Sequence, residues 1–136
     1  MKTKGNDTKR ILILGAGFAG LYAALHLEKT FARDADIEVP LGNGENFFLF
    51  TPMLHEVAAS DLDMTHIVNP IRKFFRHVQF FEGDVESIDL AGRKVVVSHG
   101  ISDHHHELHY DHLLITLGSI TNFFNLPGLA ERALTL

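Results

Sequence analysis

Residues 10–29 read RILILGAGFAGLYAALHLEK. An unbroken aliphatic run leads into Gly15-Ala16-Gly17-Phe18-Ala19-Gly20, and apolar residues then recur at helical spacing. The run suits a strand buried on both faces over residues 10–14. A turn is expected over residues 15–20. A helix is expected to about residue 33, with Phe18, Leu21, Tyr22, Leu25 and Phe31 as its apolar positions.

In a G-x-G-x-x-G turn between strand and helix each glycine has a separate task. Gly15 lets the chain turn sharply off the strand. Gly17 brings no side chain, so a pyrophosphate can approach the backbone. Gly20 lets the helix pack closely on the sheet. The free N–H groups of the first helical turn, with the helix dipole, favour the phosphate charge, and no side-chain cation is needed. The stretch is therefore read as a dinucleotide-holding turn, because strand and helix supply the context that the hexapeptide alone lacks.

Working outward, residues 37–41 are expected to form a second strand, weakened by Pro40, which cannot donate to a central ladder. Residues 42–46 read as a turn. This arrangement ordinarily ends its second strand in an acid, about 20 residues on, that holds the ribose hydroxyls. Here VPLGNGENFFLF puts Asn43 at that place, with Glu45 close by. Asn43 or Glu45 is expected to contact the ribose; a plain Gly42-Asn43-Gly44 turn is the alternative.

FFLFTPMLHEVAAS is broken by Thr51-Pro52 and reads as a packed loop and short helix. Asp63 or Thr65 is placed to cap a helix that includes NPIRKFFR, with Pro70 near its first turn. VQFFEGDV reads as a strand. ESIDL, KVVVS and ELHY form a small antiparallel meander, with turns at Ala91-Gly92 and around Gly100. HLLITLGS is another buried strand ending at a glycine turn. The order of elements gives an α/β fold: a Rossmann-like domain with a parallel sheet flanked by helices and a small antiparallel β-meander.

The 136 residues suit one domain, and a hydrophobic content of 46% is enough for a packed core. Twelve basic residues stand against 17 acidic ones, a formal net charge of -5, which argues against a nucleic-acid binder. No apolar run approaches the roughly 18 residues of a membrane span. Residues 1–9 read as a disordered lead, polar and without the apolar centre of a signal peptide, so a cytoplasmic site is expected. The final LAERALTL is apolar and in mid-pattern, as in a piece of a longer chain. Cysteine is absent, which removes disulfides, thiolate metal sites and a redox-active CxxC pair from these residues.

Three stretches together resemble a known family. ILILGAGFAGLYAALHLEK resembles the FAD-binding start of the two-dinucleotide flavoproteins, the pyridine nucleotide-disulfide oxidoreductase superfamily. NFFLFTPMLHEVAASDLD is similar to the aromatic-x-Phe-x-Pro-Leu-Leu-type segment of type II NADH dehydrogenases. YDHLLITLGSITNFFNLPG resembles the second flavin motif of that superfamily, a strand ending Thr-x-Gly. Order and spacing match over residues 10–136, which would be the amino-terminal part of the FAD-binding domain, about the first third of such an enzyme.

The resemblance implies FAD as tightly held cofactor, NADH as substrate and a quinone as electron acceptor. Gly15, Gly17, Ala19 and Gly20 would surround the FAD pyrophosphate, and Asn43 would occupy the ribose place. Thr51, Pro52 and Leu54 would lie near the flavin ring. Val85 would meet the adenine through its backbone. Thr116 and Gly118 would close over the cofactor before the chain crosses into the NADH domain. No catalytic acid or base and no metal is expected here, since the cofactor carries the chemistry. The parent would lie peripherally on the inner face of the cell membrane, attached through a later part, and a homodimer is compatible with the resemblance. A second glycine fingerprint would lie beyond residue 136.

Disulfide reductases and sulfide:quinone reductases depend on cysteines that are absent here. A ferredoxin or rubredoxin reductase-like enzyme is the alternative within the superfamily, disfavoured by the Phe-x-Pro-x-Leu segment. A non-catalytic nucleotide-binding module is the alternative outside it. His104-His105-His106, with His109 and His112, invites a metal reading, but a solvated hairpin is preferred. His55-Glu56 would tune the flavin, line a quinone path or form a packed polar pair. The phenylalanine pairs at 47–48, 74–75, 80–81 and 123–124 are read mostly as core. Arg72, Lys73 and Arg76 are read as a solvated face.

Overall fold

The computed structural model of the chain describes residues 8–31, 33–99 and 102–134. β1 (Lys9–Leu14) lies between parallel neighbours. On one side is β10 (His112–Ile115); on the other are β2 (Ile37–Glu38) and β3 (Pro40–Asn43), and β3 in turn pairs with β6 (Gln79–Glu82). Leu12, Ile13 and Leu14 are all 0% exposed, so both faces of β1 are covered. The covers differ. Ile13 points with Leu41 and Phe80 to the side where α1 (Phe18–Phe31) lays Leu21 and Ala24. Leu12 and Leu14 point the other way, onto Val95, Val97 and Leu108 of the meander. The strand's two-residue alternation is what sends neighbouring side chains to opposite layers.

The meander is β7 (Asp84–Asp89), β8 (Lys94–His99) and β9 (Ser102–His109), antiparallel in that order. Its turn at Gly92 is closed by the Gly92 N–H donating to Asp89 Oδ1 at 2.8 Å. The turn expected around Gly100 lies outside the described residues. The expected strand over residues 37–41 is interrupted: β2 and β3 keep one register against β1, from Lys9↔Ile37 to Leu14↔Gly42. The break falls at Val39, just before Pro40, which has no N–H to give and stands as the first residue of β3.

Several expectations are corrected. Of the lead expected over residues 1–9, residues 1–7 lie outside the described residues, and Lys9 already belongs to β1, donating its N–H to Asp36 O at 2.7 Å. Gly42 and Asn43 complete β3, so the turn shrinks to residues 44–46. α1 stops at Phe31, and Tyr22 stands 66% exposed because the buried stripe runs through Gly20, Leu21 and Ala24. Phe47–Leu49 is a strand, β4, paired antiparallel with β5 (Val68–Pro70), and leads into a 3-10 turn at Thr51–Met53 and the short α2 (Leu54–Ala58).

The helix expected over NPIRKFFR does not form. Asp63 does cap, accepting from the Thr65 N–H at 2.8 Å, but only a 3-10 turn, Met64–His66. Pro70 forces Asn69 into extended backbone, and that extended piece is β5. A second 3-10 turn, Ile71–Lys73, then buries Ile71 completely. VQFFEGDV divides at Gly83 into β6 and β7. The short α3 (Leu129–Arg132) lies near the end of the chain.

The far end of α1 is clamped to the strand that follows this irregular stretch. Glu28 Oε1 accepts the backbone N–H of Arg76 at 2.7 Å, His77 at 2.5 Å and Val78 at 3.3 Å, and His77 Nδ1 lies 3.7 Å away. Burial pushes the Glu28 carboxyl up, but the three hydrogen bonds and the His77 charge outweigh it and leave it below its ordinary 4.5. A folded value below the unfolded one stabilises the fold above about pH 4.5, and that margin is lost as pH falls through the folded value. Glu28→Ala is expected to cost about 1–3 kcal/mol in urea unfolding at neutral pH. The difference from wild type should narrow on acidification; a constant difference down to pH 3 would remove the clamp from the account.

Candidate functional site

β1 ends buried and the chain turns at once. Gly15 has φ +93°, a conformation that a side chain disfavours. Its N–H donates to Gly42 O at 2.7 Å, tying the turn to β3. A Cβ on Gly15 would strike the Thr116 carbonyl, and one on Gly20 would strike the Gly15 carbonyl and lie 2.6 Å from Thr116 Oγ1. The Thr116 hydroxyl, 2.7 Å from Leu14 O and 2.9 Å from Gly15 O, donates its hydrogen at this junction, and the Thr116 N–H also reaches Leu14 O at 2.8 Å. Strand, turn, helix and β10 therefore meet backbone to backbone.

Gly17 is the opposite case: nothing lies within 4 Å of a Cβ placed there. Residues 17–19 are exposed, while Gly15, Ala16 and Gly20 are buried. The first intrahelical bond is Leu21 N–H to Gly17 O at 2.9 Å, so the N–H groups at the start of α1 point to open space. Two glycines are required by what they touch, and the third by the room in front of it. These residues fit a pyrophosphate group.

Asn43 ends β3 beside this turn. Its Oδ1 accepts the Ala16 N–H at 2.9 Å, and its Nδ2 donates to Glu45 O at 2.8 Å. The two partners fix the orientation of the amide, since an N–H needs the oxygen and a carbonyl needs the nitrogen. The Glu45 side chain is exposed. The Gly83 N–H donates to Asn43 O at 2.9 Å, and the next residue, Asp84, places Oδ1 2.6 Å from where a Gly44 Cβ would stand. Val85 follows, partly buried against the second core. Gly15, Gly17, Ala19, Gly20, Asn43, Glu45, Val85 and Thr116 thus gather at the carboxyl ends of β1, β3, β6 and β10. Gly118, with φ +78° and open space around it, continues from Thr116.

Thr51, Pro52 and Leu54 connect through aromatic packing. The Phe18 ring, at the start of α1, meets Phe48 at 5.1 Å and Phe50 at 5.6 Å, both edge to face. Phe48 in turn meets Phe74 at 6.0 Å. This sets the 3-10 turn next to the glycine loop. From the sequence Phe18 is expected only as an apolar helix position; its place inside the fingerprint is the signal for this second role. Asp84 carried no sequence signal, because its nearness to Gly44 is a tertiary fact.

The other candidates stand apart from this cluster or show ordinary pairings. His55 Nε2 is 3.4 Å from Glu56 Oε1. His105 Nδ1 lies 2.8 Å from Glu86 Oε2 on the meander, and among the described residues no three His, Cys, Asp or Glu are grouped to hold a metal. The His104 side chain lies outside the described residues. Phe48 and Phe80 are buried while Phe81 is exposed, since strand neighbours face opposite ways. Phe74 and Phe75 pack against the core, whereas Phe124 is exposed. Arg72 lies over the Phe80 ring, 5.3 Å from its centre. A cavity of about 330 Å³ lined by Leu27, Glu28, Phe31, Val39 and His77 lies by the end of α1 remote from the glycine loop.

The family profile of pyridine nucleotide-disulphide oxidoreductases matches residues 9–136. The chain is 33% identical over 136 residues to the mitochondrial external alternative NAD(P)H-ubiquinone oxidoreductase B1 of Solanum tuberosum, covering 91% of this chain and 22% of that protein. It is 32% identical over 129 residues to the type II NADH:quinone oxidoreductase of Staphylococcus haemolyticus, covering 93% and 30%. The structure of NDH2 from Plasmodium falciparum in complex with NADH superposes with a TM-score of 0.80 at 25% identity, over 93% of this chain and 25% of that one. The sulfide:quinone oxidoreductase of Aquifex aeolicus shares the fold, with a TM-score of 0.76 at 24% identity, over 90% of this chain and 27% of that one. The chain spans 22–30% of the length of the two curated relatives.

The contrast among the glycines can be measured directly. Gly20→Ala is expected to lower unfolding stability by about 2 kcal/mol or more, because backbone must move aside. Gly17→Ala should leave it within about 1 kcal/mol. Equal losses in the two variants would contradict the assignment of packing to one and clearance to the other.

Proposed function

The chain belongs to the pyridine nucleotide-disulphide oxidoreductase family, and on that premise we propose that it is the amino-terminal, FAD-binding part of a type II NADH:quinone oxidoreductase. The observation that supports this best is the cleared backbone of residues 17–19 at the mouth of a glycine turn whose other two glycines are locked by packing. The N–H groups there hold the FAD pyrophosphate, helped by the positive end of α1. The Asn43–Glu45 turn lies at the adenosine ribose, and the Val85 backbone meets the adenine. Thr51, Pro52 and Leu54 lie along the flavin, with Gly118 closing over it. Thr116 acts one step back, holding Gly15 and Gly20 in place.

Bound FAD supplies the redox chemistry, taking two electrons from NADH and passing them to a quinone. The chain's own residues bind, orient and shield. With no cysteine in the sequence, no thiol relay runs through this part. NADH and quinone meet the protein largely through regions beyond these residues, and the whole protein sits on the inner face of the cell membrane. Among the described residues no helix is long and apolar enough to cross a membrane. Membrane contact in this reading is peripheral and belongs to a later part.

The test is an absorbance spectrum of the purified full-length protein, followed by NADH and then quinone. A yellow protein bleached by NADH and reoxidised by quinone is expected. A colourless protein that takes up no FAD on reconstitution would overturn the reading. A flavoprotein that ignores NADH would leave only a nucleotide-binding module.

A further inference from the structure

Asn43 stands where the ribose acid is expected, yet both ends of its amide are engaged. Oδ1 holds the Ala16 N–H and Nδ2 holds Glu45 O. What this side chain does is brace the glycine loop against β3. A neutral amide already committed to the loop is a poor substitute for a carboxylate that accepts from two hydroxyls.

A carboxylate does reach the same turn, from another strand. Asp84 is the first residue of β7, held through pairing with Ser98 and by the Gly83 N–H bond to Asn43 O just before it. Its Oδ1 lies 2.6 Å, and its Cγ 3.7 Å, from the position of a Gly44 Cβ. The group occupies the space that any side chain at residue 44 would fill. Among the described residues it has no hydrogen-bond or ion-pair partner. Glu45 also presents a free carboxylate, but on a longer side chain from an exposed three-residue turn. The shorter acid, fixed by a strand, is the better preorganised acceptor. It also directly precedes Val85, the residue read as meeting the adenine.

We propose that Asp84 is the acid that accepts hydrogen bonds from the adenosine ribose hydroxyls, that Gly44 provides its seat, and that Asn43 is a positioning residue for the glycine loop. The assignment rests on the FAD reading above and names the ribose contact within it.

The experiment measures FAD affinity of the full-length apoprotein by fluorescence, for wild type, Asp84→Asn, Glu45→Gln and Gly44→Ala. Each is tested with FAD and with an analogue carrying 2′,3′-dideoxyadenosine. Asp84→Asn should bind FAD roughly 10- to 100-fold more weakly, the range for a hydrogen bond to a charged group. With the dideoxy analogue, wild type and Asp84→Asn should bind alike. Glu45→Gln should weaken FAD binding less than Asp84→Asn does. Gly44→Ala should reproduce the loss, and adding it to Asp84→Asn should weaken binding little further. Asp84 is exposed, so the urea midpoint of Asp84→Asn should not move.

An Asp84→Asn protein that binds FAD like wild type would overturn the inference. So would one that loses FAD and the analogue equally, or a loss that follows Glu45→Gln instead. A wild-type apoprotein that takes up no FAD would overturn the underlying reading as well, which separates the two failures.

Discussion

The approach of Gly20 to Gly15, with the Thr116 hydroxyl set against both, is the constraint on which the glycine-turn end of the molecule depends. Backbone meets backbone there without room for a methyl group. Because the helix comes this close, its first turn is aimed past the end of β1 and residues 17–19 open outward. Because Thr116 bonds to Leu14 O, β10 is held in register as the helix arrives. The open backbone at residues 17–19 is thus a by-product of tight packing. Its N–H groups are positioned by contacts that never touch a ligand, which is how a site keeps its geometry before anything binds.

The same strand explains the layers. Leu12 and Leu14 need a cover on one face and Ile13 on the other, and a short chain has supplied two different ones. On the first face the helix, which Gly20 and Ala24 let come close, is joined by Phe48 and Ile71. The meander covers the second and delivers Asp84 and Val85 to the end of β3. The insert that fills the core therefore also shapes the turn beyond β3, beside the glycine loop. Phe18, Phe48, Phe50 and Phe74 make the corresponding link on the helix side, joining the glycine loop to the 3-10 turn that begins at Thr51.

Legibility followed the range of the interactions. The strand–turn–helix unit was readable because periodicity and glycine placement are local. The meander and the place of β10 were readable for the same reason, but β10 is not the buried strand expected: it ends at Ile115, and His112 and Ile115 are exposed while Leu113 and Leu114 are only partly covered. The stretch around residues 63–77 was not: Asp63 gave a true capping signal, but Pro70 favours extended backbone before it, and pairing with β4 made that piece a strand. Tyr22 lies outside the buried face because helical spacing marks a broad stripe, and the sheet selects which part of it is buried. At the site, the glycines carried their own message, whereas the work of Asn43 did not. Its two hydrogen bonds join residues 27 positions apart on one side and two on the other.

By itself the sequence determined the α/β class, the strand–turn–helix unit at the fingerprint and the antiparallel meander, because spacing, glycines and unbroken aliphatic runs are properties of neighbouring residues. Tertiary structure decided which glycine is clamped and which is open, since that depends on whether Thr116 or solvent faces it. It also decided that Asn43 braces the loop while Asp84 reaches the same turn. A carboxylate's neighbours are set by how strands far apart in the chain come to lie side by side, and no local pattern records that.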